Sequence, residues 1–485
     1  MAGGAGQRGR AAAAGRLPPG PLRHGRGRQL GSDTGSSGLP GSAPAGPIRR
    51  AQRLWRTHGR EGGRQLSTEP LPDPAGEAGS EETDGPAPVP LLAPRDGLPP
   101  VLDTAAAVAG YADALRAGSG PVAVDAERAS GYRYGQRAYL VQLRRAGAGT
   151  GLVDPIPLTL PDLAVLQDAI AGEEWVLHAA SQDLPCLAEI GLVPARVFDT
   201  ELAARLAGLP RVGLAAVVES LLGYSLVKGH SAADWSTRPL PEEWLVYAAL
   251  DVEVLVDLRD ALAALLEEQG KTEWAQQEFA AVLAAGPPAP RQDPWRRTSG
   301  VHGLRSRRQL GMLRALWEAR DDLARRRDVA PGRVLPDAAM VSAVQADPPS
   351  ESALLELPVF RGRANRRLVG TWFGALARGR AMPDSELPLH SRPGDGPPPV
   401  NRWADRDPAA ATRLQAARAG LAELGEKHAV PVENLLSPDL VRRLMWTPPE
   451  PRDAAAVAAA LRAGGAREWQ VELTTGLLTD ALARP

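Results

Sequence analysis

Residues 121–127, Pro121-Val-Ala-Val-Asp-Ala-Glu127, form a short apolar run that ends in two carboxylates. Small and β-branched residues of this length read as a strand. On a strand, positions two apart share a face, so Asp125 and Glu127 point the same way. Like charges held that close repel, and the pair is costly without compensating cations.

The neighbouring sequence continues the pattern. Segments 138–143, 151–154 and 174–178 read as further strands. Segment 161–171 is helical by its apolar spacing, and helices follow over 182–190, 200–207, 214–222 and 241–269. The last opens with Pro241, Glu242 and Glu243, a favourable first turn. Strands succeeded by helices predict a three-layer α/β domain with a mixed sheet.

Composition bounds the rest. The chain has 485 residues and a net charge of −1, room for several domains but no global attraction to polyanions. Only three of its 56 cationic residues are lysines, so the arginine richness reads as compositional habit more than function. The single cysteine, Cys186, excludes an intrachain disulfide and fits a reducing compartment. It lies in an apolar stretch and is expected to be a buried structural thiol. No apolar run reaches the length of a membrane span, so a soluble cytoplasmic protein without membrane partners is expected.

Residues 1–97 are rich in Gly, Pro, Ala, Ser and Arg and predict a disordered extension. Their first 32 residues carry arginines and no acid, as transit peptides do, but so much Gly and Pro would spoil an amphipathic helix. An α/β domain is expected over 98–285, a linker over 286–302 and a helical domain over 303–382. A second linker over 383–403 would precede another helical domain over 404–485. Between Arg305 and Arg380 stand 15 arginines against eight acids. The two helical segments share a loose likeness: 307–320 parallels 413–424, and Val329-Ala-Pro-Gly-Arg-Val-Leu-Pro336 answers Val430-Pro-Val-Glu-Asn-Leu-Leu-Ser-Pro438. A duplicated module follows.

Three more site candidates come later in the chain: Asp183 in His178-Ala-Ala-Ser-Gln-Asp-Leu184, and the pair in Tyr247-Ala-Ala-Leu-Asp251. Tyr247 and Asp251, four apart, lie on one helical face. Hard divalent cations take oxygen ligands, and two of them can hold the attacking and leaving oxygens of a phosphate. Four carboxylates and a tyrosine in this order suit such a phosphodiesterase site. His178 reads as a structural residue at a strand end, and Asp199 as a helix N-cap.

On these residues the sequence resembles the DEDD superfamily of 3′–5′ exonucleases, in its subclass with tyrosine in the third motif, and most closely the ribonuclease D family. Val124-Asp-Ala-Glu127, His178–Leu184 and Tyr247–Asp251 are similar to its three motifs, and Lys228–Pro241 to the stretch leading into the last helix. The resemblance implies a ribonuclease H-like fold and two divalent ions, Mg or Mn. Asp125, Glu127 and Asp251 would hold one ion, Asp125 with Asp183 the other, and Tyr247 would position the attacking water. The basic segment resembles an HRDC domain on Leu354-Leu-Glu-Leu-Pro358 and the arginines after it. Arg361, Arg363, Arg366 and Arg367 are then candidates for phosphate contact. The last segment resembles a second, more divergent HRDC-like unit.

The expected activity is metal-dependent 3′–5′ trimming of structured RNA, tRNA precursors first among the substrates, with release of nucleoside 5′-monophosphates. A DNA-directed exonuclease and a catalytically silent nucleic-acid binder are the alternatives. No phosphate-binding Gly-x-x-x-x-Gly-Lys-Ser/Thr loop is present, which argues against a helicase. Protein partners are not legible.

Overall fold

A computed structural model describes residues 87–226, 229–230, 232–286, 290–390 and 396–484. Most of the expected extension, Lys228 and Ser231 of the pre-helix stretch, and parts of both linkers lie outside the described residues.

Among the described residues eight strands form: β1 (Val89–Leu91), β2 (Val101–Leu102), β3 (Ser119–Arg128), β4 (Ala138–Ala146), β5 (Gly149–Val153), β6 (Glu174–Leu177), β7 (Arg196–Asp199) and β8 (Tyr224–Leu226). Six make one mixed sheet in the order β2-β5-β4-β3-β6-β7. β3, the strand with the paired acids, is central, antiparallel to β4 and parallel to β6. Its alternation sorts the two faces. Val122 and Val124 point with Val141 and Leu143 into a core shared with α1 (Ala105–Ala117) and α2 (Leu160–Ile170). Asp125 and Glu127 point the other way, with Leu140 of β4.

That second face is covered by α6. Helices α3 (Leu184–Glu189), α4 (Thr200–Leu206) and α5 (Leu214–Leu222) precede it. α6 (Glu242–Glu253) packs Ala248 and Ala249 on Leu140, Leu152 and the fully buried Trp235. α7 (Leu255–Glu268) and α8 (Thr272–Ala285) complete the layer. The sheet between two helical layers is the three-layer architecture expected from the sequence.

Three details depart from expectation. The helix expected over 241–269 breaks at Val254, with no Pro or Gly to mark it. Val252 to Leu255 are all buried, and one straight helix cannot bury four consecutive side chains against one surface. The break lets α6 cover the acid face while α7 packs on β3 and β6. β7 was not expected, being four residues long and without alternation. Residues 89–97, placed in the disordered extension, belong to the domain: β1 pairs in parallel with β8, and Arg95 meets the buried Glu253 at 3.5 Å.

The helical segments repeat one plan. α9 (Arg307–Arg327) opens with a capping box between Ser306 and Gln309 and leads through the turn Pro331–Val334 to α10 (Asp337–Ala346) and α11 (Val369–Ala381). α12 (Pro408–His428) leads through Val432–Leu435 to α13 (Pro438–Trp446), α14 (Ala454–Ala463) and α15 (Glu468–Leu482). Both long helices have 21 residues and end on a left-handed residue, Asp328 (φ 48°) or Ala429 (φ 51°). The first unit also grips the β3–β4 loop. Asp328 accepts from the Tyr134 and Gly135 amides at 3.2 Å, and the Tyr134 hydroxyl donates to Asp321.

Candidate active site

β3 presents Asp125 and Glu127 to the residues that α6 lowers onto the same face. One oxygen each from Asp125, Glu127 and Asp251 lie within 4.8 Å of one another. Tyr247, one turn earlier on α6, faces the same cluster between Trp235 and His230, whose ring stands edge-on at 5.8 Å. Its pre-helix segment is pinned by Arg238, which forks onto Asp154 (2.6 and 2.8 Å) and donates to the Tyr139 and Trp235 carbonyls.

Asp183 arrives from a different element, the tight turn after β6. Asp199 builds that turn: it accepts from the Ala179 and Ala180 amides (3.1 and 2.8 Å), and also from Glu201 and Leu202 at the start of α4. The expected N-cap thus also holds the Asp183 loop, with Ala179 left-handed at φ 61°. His178 stands outside the acid cluster. Its Nδ1 bonds the Thr200 hydroxyl at 2.9 Å, and burial lowers its pKa to about 4. Cys186 is buried, its thiol pushed up to about 12, as fits a structural residue.

The electrostatics of the cluster are those of acids crowded in a cleft. Burial raises the pKa of Asp125 and, more strongly, of Glu127, where the charges of Asp125, Asp251 and Asp183 add to it. Asp183 and Asp251 are raised by burial and then by Asp125. Burial, then the charges of Asp251 and Glu127, keep the Tyr247 phenol protonated. Acids held so unfavourably fit hard divalent cations, which supply the missing positive charge.

Several neighbours were not singled out from sequence. Arg128 ends β3 with Nη2 3.4 Å from Asp183 Oδ1. Gln142, fully buried, lies directly across β4 from Asp125. Arg144 pairs with the buried Glu253 at 3.4 Å. The partners are tens of residues apart in sequence, so no local motif announces them. The four HRDC-type arginines, Arg361, Arg363, Arg366 and Arg367, are all exposed around the short helix Arg363–Arg367.

The mixed sheet with its helical appendices defines a class, the 3′–5′ exonuclease domain joined to an HRDC module. Residues 101–267 match a protein-family model described as a 3′–5′ exonuclease, and 309–376 one described as an HRDC domain. Residues 396–482 match a 3′ to 5′ exonuclease C-terminal domain, where a second HRDC-like unit was expected. Ribonuclease D of Gluconacetobacter diazotrophicus is 34% identical over 288 residues, 57% of this chain and 71% of that protein. Ribonuclease D of Acidiphilium cryptum is 34% identical over 311 residues, 62% and 78%. A protein from Bifidobacterium adolescentis is 38% identical with a TM-score of 0.74, covering 81% of this chain and 99% of that one. Escherichia coli RNase D, described as an exoribonuclease involved in structured RNA processing, is 26% identical at a TM-score of 0.59, covering 79% and 98%. The chain belongs to the ribonuclease D family and is a 3′–5′ exoribonuclease.

Proposed function

We propose that this exoribonuclease trims the 3′ ends of structured RNA, tRNA precursors among them, at a site built from Asp125, Glu127, Asp183, Tyr247 and Asp251. The observation that carries the reading is the convergence of Asp125, Glu127 and Asp251 to within 4.8 Å, under a tyrosine. These three carboxylates would hold one divalent ion, Mg or Mn, and Asp125 with Asp183 a second. Bound there, two such ions activate a water and offset the charge on the attacking and leaving oxygens.

The chain's own residues do the rest. Tyr247, protonated across the working pH range, offers a neutral hydroxyl that orients the water by hydrogen bonding and takes no proton from it. α6, anchored through Arg238, fixes that hydroxyl against Asp251. The exposed arginines Arg361, Arg363, Arg366 and Arg367 would meet the backbone of the RNA body, a contact blind to sequence. The relative from Escherichia coli supports RNA over DNA, because its description names structured RNA. No helix among the described residues is long and apolar enough to cross a membrane, and the free thiol of Cys186 suits the cytoplasm.

The test is release of mononucleotides from a 3′-extended tRNA and from matched single-stranded DNA, with Mg²⁺ or Mn²⁺. Stepwise trimming of the RNA, lost in EDTA and in Asp125→Ala, is the expected result. Faster turnover of the DNA would move the enzyme to a DNA substrate. Full activity of Asp125→Ala would refute the site.

A further inference from the structure

The acid cluster has one cation beside it that nothing in the preceding reading uses. Arg128 follows Glu127 at the end of β3, so strict alternation would turn its side chain to the opposite face of the sheet. The β3–β4 register shifts at this point: Glu127 pairs with Leu140 but Arg128 with Ala138, leaving Tyr139 as an extra residue on β4. The ladder is disrupted at this point, so alternation no longer fixes the side chain's direction, and Arg128 lies beside Asp183. Its charge offsets part of the burial that raises the pKa of Asp125, Glu127 and Asp183.

The contact with Asp183 is a poor match for a guanidinium. It is a single approach of 3.4 Å, with no second parallel contact, and no other polar partner of Arg128 occurs among the described residues. Guanidinium presents five donors in a planar fork suited to bidentate binding of carboxylate or phosphate. The Arg128 side chain also keeps 27% of its surface exposed, whereas Asp183 keeps 8%. A partly exposed fork with unused donors, beside a cleft of acids, is arranged for an incoming anion.

We propose that Arg128 is a substrate-binding residue: it leaves Asp183 and clamps the phosphate of the terminal nucleotide when RNA enters. The proposal rests on the reading of the acid cluster as the metal site. The exchange has a direct electrostatic logic, since Asp183 released by Arg128 becomes available to a metal ion as the phosphate takes over the guanidinium. Arg128 thereby couples substrate entry to completion of the second ion site. A merely structural Arg128 would instead support the acids equally with and without RNA.

Three readouts on the full-length protein separate these roles: Mn²⁺ affinity by titration without RNA, binding of a nucleoside 5′-monophosphate to the Mn²⁺-loaded enzyme, and kcat/KM on a 3′-extended RNA. Arg128→Met removes a positive charge beside the acids, so Mn²⁺ should bind as tightly as in wild type or up to about tenfold tighter. Loss of the clamp should lower kcat/KM by about 10²-fold and weaken the monophosphate by roughly tenfold. Arg128→Lys, which keeps the charge but not the fork, should recover part of the activity. Metal affinity and activity moving in opposite directions is the signature. Wild-type kcat/KM in Arg128→Met, or Mn²⁺ affinity falling together with activity, would overturn the proposal. Failure of the underlying site looks different: Asp125→Ala would then keep both its Mn²⁺ affinity and its turnover, whatever Arg128 does.

Discussion

Glu127 is 8% exposed, with three other carboxylates near it and one guanidinium to offset them. A carboxyl whose pKa is higher folded than unfolded binds its proton more tightly in the native state. Its contribution is therefore present below the unfolded value, near 4.5, and is lost as pH rises through the folded one. At neutral pH the metal-free protein bears this cost. Glu127→Gln, which keeps the shape and removes the charge, should raise Tm by several degrees in EDTA at pH 7.5 while abolishing turnover. The same substitution should erase the rise in Tm expected when Mn²⁺ is added to the wild type. A lower Tm for the variant in EDTA would show that Glu127 is paired more strongly than Arg128 alone allows. At this scale the convergence of Asp125, Glu127 and Asp251 was legible in short local patterns, two apart on a strand and, with Tyr247, four apart on a helix, whereas Asp183 sits in neither and was singled out only with the stretch that follows His178. Arg128 was not legible, because alternation assigns it to the other face and the break in the β3–β4 register beside it leaves no sequence signal. Gln142 was hidden for a related reason, since only the strand register puts it opposite Asp125.

The elements that carry these residues are fixed by polar contacts of long sequence range. Arg238 and Asp154, 84 positions apart, tie the segment entering α6 to the end of β5. The pair is mostly buried, so removing one partner strands the other. Asp154→Ala should cost about 3 kcal/mol and lower kcat through a displaced α6, read by urea denaturation and by turnover. A loss below about 1 kcal/mol would reduce the pair to an ordinary surface bridge. The turn holding Asp183 makes a second prediction. The Thr200 hydroxyl donates to the Leu177 carbonyl, so it accepts from His178 Nδ1–H, a donor in either charge state, and it is burial that favours the neutral ring. The His178 pKa of about 4 lies below its unfolded value. Stability is then fully present above about pH 6.5 and is lost as pH falls towards 4. Between pH 7.5 and pH 5 the wild type should lose about 2 kcal/mol that His178→Gln does not lose. The comparison cancels the opposite trend of the acid cluster, and parallel pH profiles would contradict it. Most strands and helices were legible from periodicity. The break at Val254 was not, because no sequence signal marks a bend that tertiary burial imposes.

Over the whole molecule, the first helical unit is joined to the catalytic domain through the loop that follows Glu127. Asp321 and Asp328 hold Tyr134 and Gly135, the Ala330 amide donates to the Tyr132 carbonyl, and Arg333 stacks 4.0 Å over the Tyr132 ring. The duplicated plan of the two units was legible, since the long helix, the proline turn and the following helix recur with the same spacing. Their docking was not, because polar contacts nearly 200 residues apart leave no periodic trace. The same map sorts the arginines of this segment. Arg307, Arg308, Arg314, Arg320, Arg325, Arg333 and Arg380 are engaged with carbonyls or acids of the protein. Arg361 makes only a loose exposed pair with Glu356 at 3.6 Å, and Arg363 and Arg367 have no polar side-chain partner among the described residues. Free guanidinium groups on a helical module beside an exonuclease domain suit the phosphates of an RNA body. Each phosphate neutralised adds roughly 0.7–0.9 to the slope of log affinity against log salt. The double variant Arg363→Ser/Arg367→Ser should therefore flatten that slope for a structured RNA by about 1.5. It should raise KM on that RNA more than on a short single-stranded oligonucleotide, which is too short to reach the helical unit. Equal slopes for variant and wild type, measured between 50 and 200 mM salt, would make these arginines a solvated face and shift the search for the RNA path to the other helical unit.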